Sequence, residues 1–172
     1  MLLVIGISHH DADVDQRAKL AWSVEEQRSI LARIKGLSGV LECVVLVTCN
    51  RCECIVRAAS IEAVLAWWDA LIQPLGLSFY VHQDHKAIYH LLKTSCGLDA
   101  KILGEPQILG QLKRAYQCAR ETGACHAALG VLMDQVIHHT RQIRLSAALG
   151  DYVISLPVLC YREIVSFYDV SK

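Results

Sequence analysis

No apolar run in this sequence approaches the roughly 20 residues that span a bilayer. The opening residues, Met1-Leu2-Leu3-Val4-Ile5-Gly6-Ile7, lack a basic leading region and a small-residue cleavage site. That argues for a strand and against a secretory leader. Ten glycines are present, yet none falls into a Gly-x-Gly-x-x-Gly run, so no dinucleotide-binding fingerprint is legible. Net charge is lacking too: 17 Lys and Arg balance 17 Asp and Glu, leaving no global field to attract nucleic acid. Internal repeats and low-complexity stretches are absent. The expectation is a soluble, cytosolic chain.

The composition is 53% hydrophobic and 20% charged, enough to bury a sizeable core. At 172 residues it predicts one domain, or a domain with a helical annex. Eight cysteines are many, and those in apolar patterns are expected to be reduced, buried small hydrophobes. Charge is slightly uneven. Residues 1–83 carry seven Lys or Arg against nine Asp or Glu, while residues 84–144 carry eight against five. Lys113, Arg114, Arg120, Arg141 and Arg144 on the predicted long helices are candidates to meet RNA phosphates, although solvated helix faces look the same.

Residues 2–8 predict a buried strand, and residues 11–21 an acidic loop with a helical turn. Ser23-Val24-Glu25-Glu26 is a capping box opening a helix to about Lys35, stopped by Gly36 and Gly39. Residues 41–48 and 52–59 pair as a hairpin. Ser60 is expected to cap a second helix ended by Pro74 and Gly76, before a short last strand from Leu77 to Val81. This order is that of an α+β, ferredoxin-like βαββαβ antiparallel sandwich with helices on one face, over residues 1–83. A helical part follows over 84–152. Asp84 is placed at the cap of its first helix, Glu105-Pro106 at the start of the next, and a longer helix ends near Gly150. A last helix runs from about Ser155 towards Tyr168, within a connecting segment over 153–172.

The stretch Val44 to Val56 organises the rest. A β-branched run climbs to a polar tip, Thr48-Cys49-Asn50-Arg51, and a second run descends from it. Asn50 tolerates the left-handed backbone that such a reversal can require. The thiolate is the reactive form of a thiol, and a neighbouring guanidinium favours it, so Cys49 is the candidate nucleophile. Arg51 can support that thiolate, grip a carboxylate bidentately, or pair with Glu53 on the same strand face. Two other chemistries fit the same residues. Cys49 and Cys52 form a C-x-x-C that suits a redox pair, or a zinc site with Cys54 and His82. Against these, Glu53-Cys54-Ile55-Val56-Arg57 alternates like a strand, and no second C-x-x-C or H-x-x-x-H occurs. His138 and His139 are adjacent on a helix and point about 100° apart.

Thr48-Cys49-Asn50-Arg51-Cys52-Glu53 resembles the TCNRTE signature of the glutamyl-tRNA reductases, and Gly97 to Gln111 resembles their GLDSLVLGEPQILGQ block. Gly6-Ile7-Ser8-His9-His10 to Arg17 is a weaker match to GINHxTAPVxxR. The resemblance implies an NADPH-dependent enzyme of tetrapyrrole synthesis. In that scheme Cys49 takes the glutamyl group of glutamyl-tRNA as a thioester, and hydride releases glutamate-1-semialdehyde. It implies substrate contacts at Thr48, Arg51, Asn50, Glu105 and Gln107, and an acid/base or binding role for His90. It also implies that the NADPH-binding and dimerisation domains would follow Lys172, and that the product passes to an aminomutase. A short paralogue that only binds charged tRNA or a protein partner is the alternative. Several positions depart from the pattern: Ala100 stands where the family usually has Ser, Ser8 for Asn, Asp11 and Asp13 for Thr and Pro, Cys96 for Ser and Cys52 for Thr.

Overall fold

The computed structural model describes residues 1–149. Strand β1 (Leu2–Ser8) lies inside a four-stranded sheet, flanked by β3 (Arg51–Ala58) and β4 (Tyr80–Gln83). With β2 (Val40–Val47) beyond β3, the strand order is β2-β3-β1-β4 and every pairing is antiparallel. This is the order expected from the sequence for a βαββαβ chain. The last strand begins later than the expected Leu77, at Tyr80.

Pairing register sorts the side chains into two faces. Leu3, Ile5 and Ile7 of β1 stand opposite Val56, Cys54 and Cys52, while Val4, Gly6 and Ser8 stand opposite Ile55, Glu53 and Arg51. Successive strand residues point to opposite faces, so both sets must find cover, and both do: Leu3, Val4, Ile5 and Ile7 are fully buried. On the first face lies α2 (Val24–Lys35), where the Cys43 thiol reaches Leu31 O at 3.7 Å. The second face meets α4 (Asp84–Ser95), through His90 and Thr94. The helices expected on one face are those of residues 1–83; the second face is covered by α4, from the helical part that follows. The continuous apolar run of β1 is the physical reason, because a half-exposed strand would alternate.

Most local signals hold. Ser23 and Glu26 form the capping box of α2, and a second box, Asp13 with Gln16, opens the five-residue α1 (Val14–Ala18). Two expected caps do not form. Ser60 makes no cap to α3 (Glu62–Ile72), whose boundary residue is Ile61. Asp84 adopts a left-handed φ of 47° and accepts the Leu2 N–H at 2.9 Å, tying the start of α4 to β1. The Gly76 stop is found, with φ of 64° after a 3₁₀ turn over Gln73–Leu75.

Helix α5 (Gln107–Glu121) buries Ile108, Leu112, Ala115, Tyr116 and Ala119, while α6 (Ala128–Ser146) buries Leu129, Met133 and Val136. No side chain of α6 caps its start. Glu42 of β2 does so from a distance, accepting the His126 and Leu129 N–H groups at 3.0 Å each. The exposed edge of β2 is closed in the same region by Cys43 N–H donating to Ala124 O at 2.9 Å. One hydrophobic cluster runs through the sheet and α2 to α6. The expected Gly150 stop, the last helix and the connecting segment lie outside the described residues.

Candidate active site

The hairpin between β2 and β3 is closed by Thr48. Its N–H donates to Arg51 O at 2.8 Å, and its hydroxyl oxygen accepts the Asn50 and Arg51 N–H groups at 3.1 Å each. Asn50 itself needs no left-handed backbone, contrary to the expectation; the Thr48 hydroxyl makes the turn instead. Cys49 stands at the tip and is exposed. Behind it, the buried Arg17 of α1 donates Nε to Cys49 O at 3.1 Å and Nη1 to Ala12 O. Arg17 closes the first matched sequence block, a signal that points to it without revealing that it holds the Cys49 carbonyl.

Arg51 turns inward from the tip. Only 3% exposed, it donates Nη1 to Glu53 Oε1 at 2.8 Å and to Thr94 Oγ1 at 3.2 Å. Its Nη2 reaches Asp99 O at 2.6 Å and Asp99 Oδ2 at 3.0 Å. The expected pairing with Glu53 is therefore present, but it lies in the interior and is joined by a carboxylate that the sequence reading did not name. Asp99 also accepts Lys93 Nζ at 2.8 Å. Burial alone would raise the Asp99 carboxyl; Lys93 and Arg51 outweigh it and hold the group at about 2.

Glu53 is wholly buried. Its Oε1 meets Arg51 Nη1 and His90 Nε2, both at 2.8 Å, and accepts the Tyr80 hydroxyl. Burial pushes the carboxyl up, yet His90, Arg51 and Tyr80 overcome this and bring it down to about 2. Gly6 makes the space. A Cβ there would lie 2.8 Å from Glu53 Cγ and 2.5 Å from Cys52 O. His90 is thus a partner of Glu53 in the interior, stacked 4.6 Å from the His82 ring, and not a free acid at the tip.

A small hollow opens beside Cys49, with Thr48, Arg51, Thr94, Ala100, Glu105 and Gln111 in its wall. Its volume is about 10 Å³, room for about one water molecule. Asn50 also borders it. Of the sequence-predicted contacts, Gln107 is the one left out: it is exposed at the start of α5, and Gln111, one turn on, takes the position. The loop behind the hollow needs Gly97, whose φ is 78° and whose Cβ would meet Glu105 N and O at 2.8 Å. Arg144 of α6 fixes the same loop, donating to Cys96 O at 2.7 Å and Gly104 O at 2.9 Å, and so is not free for phosphates.

Two larger hollows flank this one. The first, about 410 Å³, has His10, Asp11, Tyr80, His82, Lys86 and Asp99 in its wall, on the far side of the Arg51–Asp99 pair. The second, also about 410 Å³, is a groove between α2 and α5.

Register disposes of the other chemistries. Cys52 and Cys54 point to the α2 face, and burial holds both thiols well above their ordinary value. Cys52 is thus buried whereas Cys49 is exposed, and Cys54 points away from His82, which lies opposite Val4 on the other face. The departures Ser8 and Asp11 compensate one another: Ser8 N and Oγ each donate to Asp11 Oδ2 at 2.8 Å. Among the described residues no helix is long and apolar enough to cross a membrane.

Comparison with known proteins agrees with this fold. Residues 5–147 match the family model for the N-terminal domain of glutamyl-tRNA(Glu) reductase. The glutamyl-tRNA reductase of Pseudomonas putida is 38% identical over 160 residues, and that of Aliivibrio fischeri 37% over 162; each match covers 90% of this chain. The chain spans only 38% and 39% of those two proteins. Among solved structures, glutamyl-tRNA reductase from Methanopyrus kandleri superposes with a TM-score of 0.69 at 30% identity, over 84% of this chain and 34% of its own. With the family model matched over residues 5–147 and the fold in agreement, the chain belongs to the glutamyl-tRNA reductase N-terminal domain family.

Proposed function

We propose that Cys49 takes the glutamyl group of glutamyl-tRNA as a thioester, the first half of a reduction to glutamate-1-semialdehyde for tetrapyrrole synthesis. The contrast among the described cysteines carries this reading. Cys43, Cys52, Cys54, Cys96 and Cys125 are buried and Cys118 is half-buried, while Cys49 alone is exposed, on a tip fixed by Thr48 and Arg17. In the step itself, the Cys49 sulfur forms a bond to the ester carbonyl carbon. The bond from that carbon to the terminal ribose oxygen breaks, and the ribose oxygen leaves with the thiol's proton. A thioester accepts hydride more readily than an ester, so one hard step becomes two easier ones.

Arg51 places positive charge at the wall of the hollow for the glutamate side chain, and Glu105 is suited to the substrate amine. Asn50 and Thr48 position the tip. His90 acts at one remove, holding Glu53, which holds Arg51. NADPH would supply the hydride. The described residues do not fit it: the sheet is antiparallel throughout, and the β1–α1 connection, Ser8 to Asp13, contains no glycine. No residue of this chain is assigned to NADPH. Cytoplasmic location, dimerisation through a further domain and hand-over to an aminomutase belong to the same reading.

Ala100 favours a second reading, a module that binds charged tRNA without reacting, because it brings no hydroxyl to the hollow. Discharge of labelled glutamyl-tRNA separates the two. Release of glutamate above the buffer rate, lost in Cys49→Ala, is the result expected of the enzyme; equal rates for both proteins would support the module.

A further inference from the structure

We infer that the groove between α2 and α5 receives the single-stranded 3′ end of the charged RNA. This rests on the Cys49 reading and adds a location to it. The ester that Cys49 attacks is carried by the terminal ribose, so the terminal base and the phosphates before it must lie within a nucleotide's length of the hairpin tip. Two hollows are large enough, each about 410 Å³, a size typical of small-ligand sites. They are not equivalent.

Only the groove shares a wall residue with the Cys49 hollow. Gln111 stands in the wall of both, and Val47, which lines the groove, directly precedes Thr48. The other hollow shares no residue with it and is walled off by Arg51, Asp99 and His90; the carboxylates of Asp11 and Asp99 on its surface balance Lys86 and Lys93, and Lys93 is already paired with Asp99.

The groove's chemistry also suits a single strand. Arg114 leans back over Gly110, its Nη1 3.6 Å from where a Cβ would stand, towards the end of α5 that meets Cys49. Arg28 faces Glu121 at 3.5 Å, and both side chains are more than half exposed. Such a pair is weak, and an arriving phosphate displaces it readily. Gln111 supplies an amide that both donates and accepts, as the edges of unstacked bases require, while Gln27 and Gln117, which already donate to Trp22 O and Glu121 Oε1, keep their amide oxygens for a base.

The test is the rate of Cys49 acylation by glutamyl-tRNA at sub-saturating RNA, for the native chain, Arg28→Ala/Arg114→Ala and Lys86→Ala. The groove predicts a fall of roughly tenfold or more in the double variant and a salt dependence flatter by about 1.4 in log–log slope, about 0.7 for each lost single-strand phosphate contact. Lys86→Ala stays near the native rate, and iodoacetamide, which needs no groove, alkylates Cys49 equally in all three. Native acylation by the double variant, or a loss confined to Lys86→Ala, would overturn the groove. If even the native chain is not acylated, the Cys49 reading fails, and the groove is judged by binding of uncharged tRNA. Trimming its single-stranded 3′ nucleotides must then weaken binding to the native chain and have little effect on the double variant; equal losses in both would overturn it.

Discussion

Arg51 and Glu53 lie two residues apart on β3 and meet at 2.8 Å in the interior, with Glu53 fully enclosed. Strand periodicity puts both on the α4 face, where His90 and Tyr80 join Arg51 on Glu53 Oε1 and Asp99 bonds Arg51, while Glu53 Oε2 has no hydrogen-bond partner. Desolvating a carboxylate and a guanidinium is expensive, and the partners gathered on Glu53 Oε1 and around Arg51 are what offset that cost. Breaking the cluster from one side leaves an uncompensated charge. Glu53→Gln is therefore expected to cost about 3–5 kcal/mol in urea unfolding, and Glu53→Leu with Arg51→Met markedly less than the sum of its single changes. A Glu53→Gln loss below 1 kcal/mol would show that the pair is not buried as described.

The same cluster sets an acid limit. Glu53 and Asp99 are held at about 2, below their ordinary 4.5 and 3.8. Between these values the unfolded chain binds more protons than the folded one, so protonation favours unfolding. Stability contributed by these groups is complete above about pH 5 and drains away as pH falls towards 2. Denaturation midpoints at pH 7, 5, 4 and 3 should be flat between the first two and decline through the last two, with a shallower decline in Glu53→Gln.

Gly6 is fixed by space. Glu53 Cγ and Cys52 O occupy the volume that a Cβ would need, at 2.8 and 2.5 Å. Overpacking of this kind costs typically about 1–3 kcal/mol, and Gly6→Ala is expected at the upper end because one clash is with backbone. A thermal melt is sufficient to check it, since an unchanged midpoint would mean that β1 and β3 separate more easily than their register implies.

Much of this was legible in advance, for identifiable reasons. The βαββαβ order follows from the apolar β-branched run of β2 and the alternation in β3, from the Ser23 capping box and from the glycine stops, all of which are local signals. Cys49 and Arg51 stand out as candidates because a polar tip interrupts two apolar runs, and Thr48 through the family resemblance. What escaped was non-local. Asp99, Arg17 and Glu42 act across 48, 32 and 84 or more residues, reaching Arg51, Cys49 and the start of α6, and no spacing in the chain announces such partners. Ser60 and Asp84 were credited with caps on propensity alone, whereas Asp84 serves the Leu2 N–H. Gln107 was placed by its neighbours in sequence, but helical geometry gives the hollow to Gln111, one turn later.

Ala100 lies in the wall of the Cys49 hollow, where it offers no hydrogen bond. Supplying a hydroxyl there should strengthen the grip on the glutamyl group by about 1 kcal/mol, the typical net worth of one hydrogen bond. Ala100→Ser is accordingly expected to raise Cys49 acylation by about fivefold at sub-saturating glutamyl-tRNA, with iodoacetamide reactivity unaltered. A fall in acylation would place the substrate elsewhere in the hollow.

The central claim, that Cys49 is the nucleophile, is tested most directly by intact mass after brief incubation with glutamyl-tRNA in the absence of NADPH. The account predicts a single glutamyl adduct on the native chain, removed by hydroxylamine and missing from Cys49→Ala. An adduct that persists in Cys49→Ala, or a folded native chain that gains none while the charged tRNA survives, would contradict it.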